Sequence, residues 1–246
     1  MSSFILPAVT LWQRELVRFW RQKSRVMGVV ASPLIFWLVI GLGSNDLGRF
    51  YSGALVLTVM FSAIFSTITI IEDRREGFLL SMLVSPAPRT SLVLGKIMGS
   101  ATLAWIQGLI FLAFAPLAGV SIHPLELIPI AGVIFLISFT LTGLGFVIAW
   151  KMNSTAGFHA IMNLLLLPMW MVSGSLFTMA TAHGVIRAIM RVNPLTYSIS
   201  LLNYTLHLGT ADPGPMMSFV ITLAMGLGLV LACGMLAAQK ATRSAA

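Results

Sequence analysis

Five charged side chains stand in a row at Glu72-Asp73-Arg74-Arg75-Glu76, in a chain where charged residues make up only 9% of 246 positions. Gly77 follows, then the apolar run Phe78 to Val84, and Ser85-Pro86-Ala87-Pro88 closes the segment. The run is too short to cross a bilayer. Preceded by acids and stopped by proline, it reads as a short amphipathic helix. A solvated loop needs no such apolar face, so lipid or a cytoplasmic protein must cover it. The chemistry on offer is therefore docking. Elsewhere the residues for catalysis are missing. The one Gly-Lys pair, Gly95-Lys96, lacks the upstream glycine and the following Ser/Thr of a phosphate-binding loop. His123, His159, His183 and His207 are far apart and show no metal-ligand pattern, so the metal expectation is none. Ser173 and Ser175 flank Gly174 with no plausible base beside them, and the catalytic expectation is also none. The lone Cys233 excludes an internal disulfide and reads as a small buried hydrophobe.

These residues have to be positioned by elements made almost wholly of apolar residues. Hydrophobic positions reach 58% and the mean hydropathy is +0.96, the composition of an integral membrane protein. Six stretches suit spanning helices: about 26–43, 51–71, 92–120, 127–150, 158–177 and 217–238. The first has a basic flank like a signal peptide, but the flank is long and no small-x-small site follows, so it is expected to be retained. Within the spans the ionisable side chains are Lys96 and His159, which leaves no carboxylate path for protons or sodium. Thr58, Ser62, Ser66 and Thr69 share one face of the second span. Gln107 sits in the third, Thr140 and Thr142 in the fourth, and His159 and Asn163 in the fifth. Two readings stay open for these polar groups: hydrogen bonding between helices, or lining a substrate path through Thr58, Ser62, Ser66, Gln107 and Asn163.

Basic residues orient the chain. With six spans and both termini in the cytoplasm, twelve of the fifteen Lys and Arg fall on the cytoplasmic side, and Arg49, Arg187 and Arg191 on the other. The formal charge of +8 is thus explained by topology and anionic headgroups rather than nucleic acid. Residues 4–23 place Trp12, Leu16, Phe19 and Trp20 at helical spacing, with Arg14, Arg18 and Arg21 on other faces. This predicts an amphipathic helix in the cytoplasmic interface, as a lipid anchor or a grip for a partner. Outside, 178–216 predicts a helical hairpin re-entering the outer leaflet and broken at Asn193-Pro194. Leu195 to Leu208 would span about 21 Å as a helix, short of a bilayer core. Arg187 and Arg191 are expected at headgroup level. The architecture expected is an all-α polytopic membrane protein with one domain over 1–246.

Three segments carry a resemblance. Glu72 to Pro86 followed by Leu94-Gly95-Lys96 is similar to the first cytoplasmic loop of the membrane subunits of ABC type-2 exporters. Ser173-Gly174-Ser175-Leu176-Phe177 is similar to the end of that family's fifth span, and Asn193-Pro194-Leu195-Thr196-Tyr197 to its external motif. The order and spacing match across nearly the whole chain. Departures lie outside: Ser200 and Asn203 where an acid and an arginine are common, and Thr178 where a proline is.

The resemblance implies a permease of the bacterial cytoplasmic membrane. Two such subunits, identical or closely related, would form the path, each docked to a separate cytoplasmic ATPase that holds ATP and Mg. The loop 72–91 would couple the two through Glu72, Asp73, Arg74, Arg75, Glu76, Gly77, Leu80, Leu83 and Pro86, with the charged run around the mouth of a groove on the ATPase. Arg187, Arg191, Asn193, Pro194 and Tyr197 would form the external gate. The cargo would be amphiphilic, drug-like, lipid-linked or saccharide. The alternatives are an ATP-independent secondary transporter or channel, which would want an intramembrane carboxylate or an internal repeat, and an intramembrane enzyme.

Overall fold

A computed structural model describes residues 2–21, 23–209 and 212–244. The side chains of Lys23, Arg25, Leu83, Lys240 and Arg243, used above, lie outside that description. The elements are helices throughout: α1 (Ser2–Arg21), α2 (Lys23–Gly43), α3 (Tyr51–Ser66), α4 (Thr69–Arg75), α5 (Phe78–Val84), α6 (Arg89–Leu112), α7 (Leu127–Lys151), α8 (Thr155–Trp170), α9 (Gly184–Val192), α10 (Pro194–Thr205) and α11 (Pro215–Ser244). Among the described residues, five segments are long and apolar enough to cross a membrane: Tyr51–Arg75, Arg89–Leu112, Pro124–Lys151, Thr155–Ser175 and Pro215–Ala238. In α2 the stretch that qualifies, Ala31–Gly43, is shorter.

Breaks fall where local chemistry puts them. The second span is α3 and α4 with a kink at Thr67–Ile68, where hydroxyls at Ser66, Thr67 and Thr69 bond carbonyls three residues back. The third stops at Leu112 rather than 120, because Pro116 opens a 3₁₀ turn, Ala115–Ala118, which Gly119 ends at φ +71°. Past Trp170 the fifth becomes a π turn, Met171–Ser175, with Gly174 at φ +97°. Ser154 caps α8 by accepting from Gly157 N–H, and Asn193 caps α10 by accepting from Leu195 N–H.

At the centre is α3, packed on by α2, α6, α7 and α10. Fourteen of its sixteen residues are buried, all but Phe61 and Phe65. Its start is tied to its neighbours: Tyr51 OH donates to the carbonyls of Phe111 (3.0 Å) and Leu112 (3.2 Å), and its ring packs against Trp37 and Phe111. By contrast α8 turns inward only Phe158, Met162, Leu166 and Trp170, four apart each time.

One placement departs from the pattern-based expectation and another meets it. First, α1 packs lengthwise along α6, burying Leu11, Glu15 and Phe19. Of the four presumed lipid anchors, Phe19 is buried, Trp12 Nε1 donates to Thr102 Oγ1 (3.1 Å), and only Trp20 stays largely exposed. The close approach is possible because α6 presents Gly95 and Gly99. A Cβ on Gly95 would sit 2.6 Å from the Ala8 carbonyl, and one on Gly99 2.8 Å from Glu15 Cβ. Second, α9 and α10 break at Asn193-Pro194, and Leu195 to Leu202 are all buried, packed among α11, α7, α3 and the π turn. Other helices cover that segment, as expected for a broken stretch whose backbone lipid cannot satisfy.

Candidate functional site

The charged run begins on α4 and ends at Gly77, which caps α5 at φ +76°. A left-handed residue is what lets α5 turn sharply off α4, and glycine adopts it without steric cost. Two turns later Ser85 Oγ bonds the Met82 carbonyl (2.7 Å) and the prolines stop the helix. Leu79 and Met82 face inward, while Leu80 is 65% and Val84 83% exposed. Arg75, Glu76 and Pro86 are exposed beside them. An apolar face with a charged edge is thus presented outward from a loop that is itself firmly seated.

The seat is ionic. Asp73 is completely buried and accepts from Arg14 (2.8 Å) and Arg18 (2.9 Å), with Lys96 Nζ 2.5 Å away. Lys96 also donates to Glu15 (2.9 Å), and Arg18 to Glu72 (2.8 Å). Arg14, Arg18 and Lys96 thus face Glu15, Glu72 and Asp73, and Arg18 also lies 3.6 Å from the more exposed Glu76, so that charges from α1, α4 and α6 neutralise one another. Partial burial works against the Arg14 charge, but the hydrogen bond and charge of Asp73 outweigh it and its pKa is raised. The same guanidinium lies 3.9 Å over the Phe78 ring, linking α1 to the first residue of α5. Arg74 turns the other way and donates to the carbonyls of Trp150 and Met152 (both 2.6 Å) and to Asn153 Oδ1 (3.1 Å). It satisfies carbonyls that the end of α7 leaves open. So the run divides: Arg75 and Glu76 look outward, Glu72 is half-buried against Arg18, and Asp73 and Arg74 hold the platform, which corrects the picture of all five around a groove's mouth. The pattern-based reading missed Glu15 altogether. Its signal was an acid on the apolar stripe of α1, which requires a buried base, and Lys96 is the base at the start of an apolar helix.

The expected path residues separate too. Thr58, Ser62, Ser66 and Gln107 are buried inside the chain. Thr58 and Ser66 bond carbonyls of their own helix, while Ser62 Oγ and both polar atoms of the Gln107 amide have no partner. Helical spacing put three hydroxyls on one face, but α3 is enclosed on nearly every side, so that face meets other helices. The open side of α3 is Phe61 and Phe65, stacked at 5.4 Å, with the His159 ring 5.2 Å from Phe65. Asn163 and His159, one turn apart, are exposed on α8 among Ile161, Leu164 and Leu165. Beside them α2 exposes Ile35, Val39 and Leu42, and Phe36 meets Trp170 edge-on at 5.4 Å.

At the opposite end from α5, the expected gate residues act as braces. Asn193 Nδ2 donates to the carbonyls of Met169 (2.5 Å) and Val172 (3.3 Å), Pro194 opens α10, and Tyr197 OH donates to the Arg191 carbonyl (2.6 Å). Arg187 is half-buried. It donates to the carbonyls of Met179, Ala180 and Ala182, and Arg191 alone of the two is exposed without such a clamp.

The amino-acid sequence has relatives. The chain is 27% identical to nodulation protein J of Neorhizobium galegae, covering 92% of this chain and 94% of that one. It is 25% identical to a ycf38 transport permease of Cyanophora paradoxa over 82% of this chain and 74% of the relative. Nodulation protein J of Sinorhizobium fredii is 26% identical over 80% and 82%. The family model described as ABC-2 type transporter matches residues 8–207, from within α1 to just past α10, so the chain belongs to the ABC-2 type transporter family, a family of transport permeases rather than enzymes.

Proposed function

We propose that this chain is the membrane subunit of an ATP-driven exporter, moving an amphiphilic, drug-like, lipid-linked or saccharide cargo outward across a bacterial cytoplasmic membrane. ATP and Mg are bound by a separate cytoplasmic ATPase, and two permease subunits, identical or closely related, assemble with two ATPase copies. The observation that carries this reading is α5: Leu80 and Val84 point outward from a helix too short to span, which is braced to α1, α6 and α7. Motion of a partner against α5 would pass through Asp73 and Arg74 into the helices behind. Family membership supports the same reading, as does the absence of a phosphate-binding loop from the sequence. In this proposal α2 is the sixth span and both termini are cytoplasmic. Thr178 to Ala180 and Asp212 line one small cavity, which fits placing both ends of the 178–216 segment on the same side.

The test is Leu80→Asp with Val84→Asp, co-expressed with a cytoplasmic ABC ATPase from the same organism. We expect normal insertion, because both side chains face outward, and loss of ATPase co-purification with loss of transport. A variant that keeps both partner and transport would show that α5 is not the docking element.

A further inference from the structure

Beside the last turns of α1 a groove of about 410 Å³ runs along α6. Leu16, Phe19 and Trp20 wall it from α1, and Leu103, Ile106 and Ile110 from α6. Positions 103, 106 and 110 share one helical face, so the α6 wall is an apolar strip about 10 Å long at 1.5 Å per residue. Two polar side chains interrupt this lining. Gln107 stands within the strip and is 2% exposed, and neither atom of its amide has a hydrogen-bond partner among the described residues. Arg21, the last residue of α1, is exposed and forms no ion pair among the described residues. Arg14 and Arg18, earlier on the same helix, are both engaged by Asp73.

These residues call for an occupant that is apolar over most of its length, offers an acceptor to a buried amide, and ends in negative charge. Water suits the amide but not the strip. The apolar flank of another helix covers the strip but pairs neither Gln107 nor Arg21. A diacyl phospholipid brings all three parts. Its acyl chain fits the strip, an ester carbonyl accepts from the Gln107 amide, and its phosphate meets the guanidinium. A buried amide without a partner is rare, and guanidinium and phosphate form paired, charge-assisted hydrogen bonds. With no carboxylate paired to Arg21, a headgroup of net negative charge is preferred to a zwitterionic one. Trp20 fits the same level, since an indole favours the boundary between headgroups and chains.

We propose that the groove between α1 and α6 is a fixed site for an anionic phospholipid, with an acyl chain on the α6 strip and the phosphate held by Arg21. The lipid is a resident ligand of the fold, not a molecule that the protein moves. Its effect follows from what else α1 carries. Arg14, Glu15 and Arg18 hold Asp73 and Lys96 from the same helix. A lipid that fastens the end of α1 therefore also steadies the seat of α5. The site stands on the groove alone and does not depend on the exporter reading.

Native mass spectrometry of the full chain tests it, with the protein released from nanodiscs of phosphatidylglycerol and phosphatidylcholine in equal amounts and with identical chains. We expect phosphatidylglycerol to stay bound in preference to phosphatidylcholine. Arg21→Gln should weaken that retention about fivefold, the equivalent of about 1 kcal/mol for one basic residue at an anionic headgroup. Ile106→Trp, which fills the strip, should weaken retention of both lipids. Arg191→Gln removes an exposed arginine on α9 and should leave retention unchanged. Phosphatidylglycerol brominated along its chains should quench a fluorescence component that Trp20→Phe removes. Arg21 is exposed, so its variant should keep the fold and decides the matter even where Ile106→Trp does not fold. Equal retention of the two lipids, no fall in Arg21→Gln, an equal fall in Arg191→Gln, or a dimer that carries no lipid overturns the proposal. None of these measurements needs an ATPase. Failure of the exporter reading leaves them standing, and transport by a protein that retains no lipid sinks the lipid site alone.

Discussion

Lys96 holds two buried acids at once, 2.9 Å from Glu15 and 2.5 Å from Asp73, and is itself 4% exposed. Its removal leaves Asp73 with two guanidiniums but Glu15 with only Arg14 at 3.4 Å. An uncompensated buried charge costs about 3–5 kcal/mol. Lys96→Met should therefore lower the thermal unfolding temperature of the detergent-purified protein sharply. Adding Glu15→Gln should restore part of the loss, since the orphaned charge goes with it. Equal damage from the double and the single variant would mean that the lysine acts through packing instead. Asp73 shows why this cluster was only half legible. Its neighbours in sequence are charged and its helix short, so charge density pointed to a surface. The residues that bury it, Arg14 and Lys96, lie 59 positions before and 23 after. A run of like polarity cannot tell which of its members face in.

At the level of elements, helix positions were readable from apolar length, proline and glycine, and most boundaries moved by a few residues. What spacing could not give was direction. The hydroxyl stripe on α3 is real, yet it faces protein, because a helix with fourteen of sixteen residues buried has almost no outside. The pair Gly95 and Gly99, which in a chain with 21 glycines carries little weight alone, turns out to set the distance between α1 and α6. With backbone or Cβ atoms under 3 Å from where a Cβ would stand, a larger residue has to push α1 away. Gly99→Leu should cost about 1–3 kcal/mol by overpacking and also pull Glu15 from Lys96. The expected sign is faster protease release of α1 from the purified protein, with α5 docking weakened because Arg14 and Arg18 ride on α1. Unchanged proteolysis in Gly99→Leu would show that α1 is held by its ion pairs alone.

For the molecule as a whole, the distribution of exposed apolar surface would decide where two copies meet in the proposed assembly. Only 22% of the α8 span and 17% of the α11 span are buried within the chain, against 89% for the α3–α4 span. Lipid can cover α11, which is apolar, but α8 carries Asn163 and His159 on its exposed face. Polar groups facing hydrocarbon are costly, and they ordinarily face the inside of a bundle or a wet cavity. A second copy laid against α2 and α8 would enclose them, with Phe61 and Phe65 at the back of the space. The face of Thr58, Ser62 and Ser66, offered by the sequence as a path lining, is buried within one chain, so this arrangement rests on the first and fifth spans. Single cysteines at Val39, Leu164 and Thr58, in a Cys233→Ala background, separate the two arrangements in native membranes. Val39→Cys and Leu164→Cys should give dimers with a short bifunctional thiol reagent, while Thr58→Cys, completely buried in one chain, should stay monomeric and unlabelled. Labelling of the first two by lipid-phase reagents without any dimer would mean that lipid covers this face and that the path lies elsewhere.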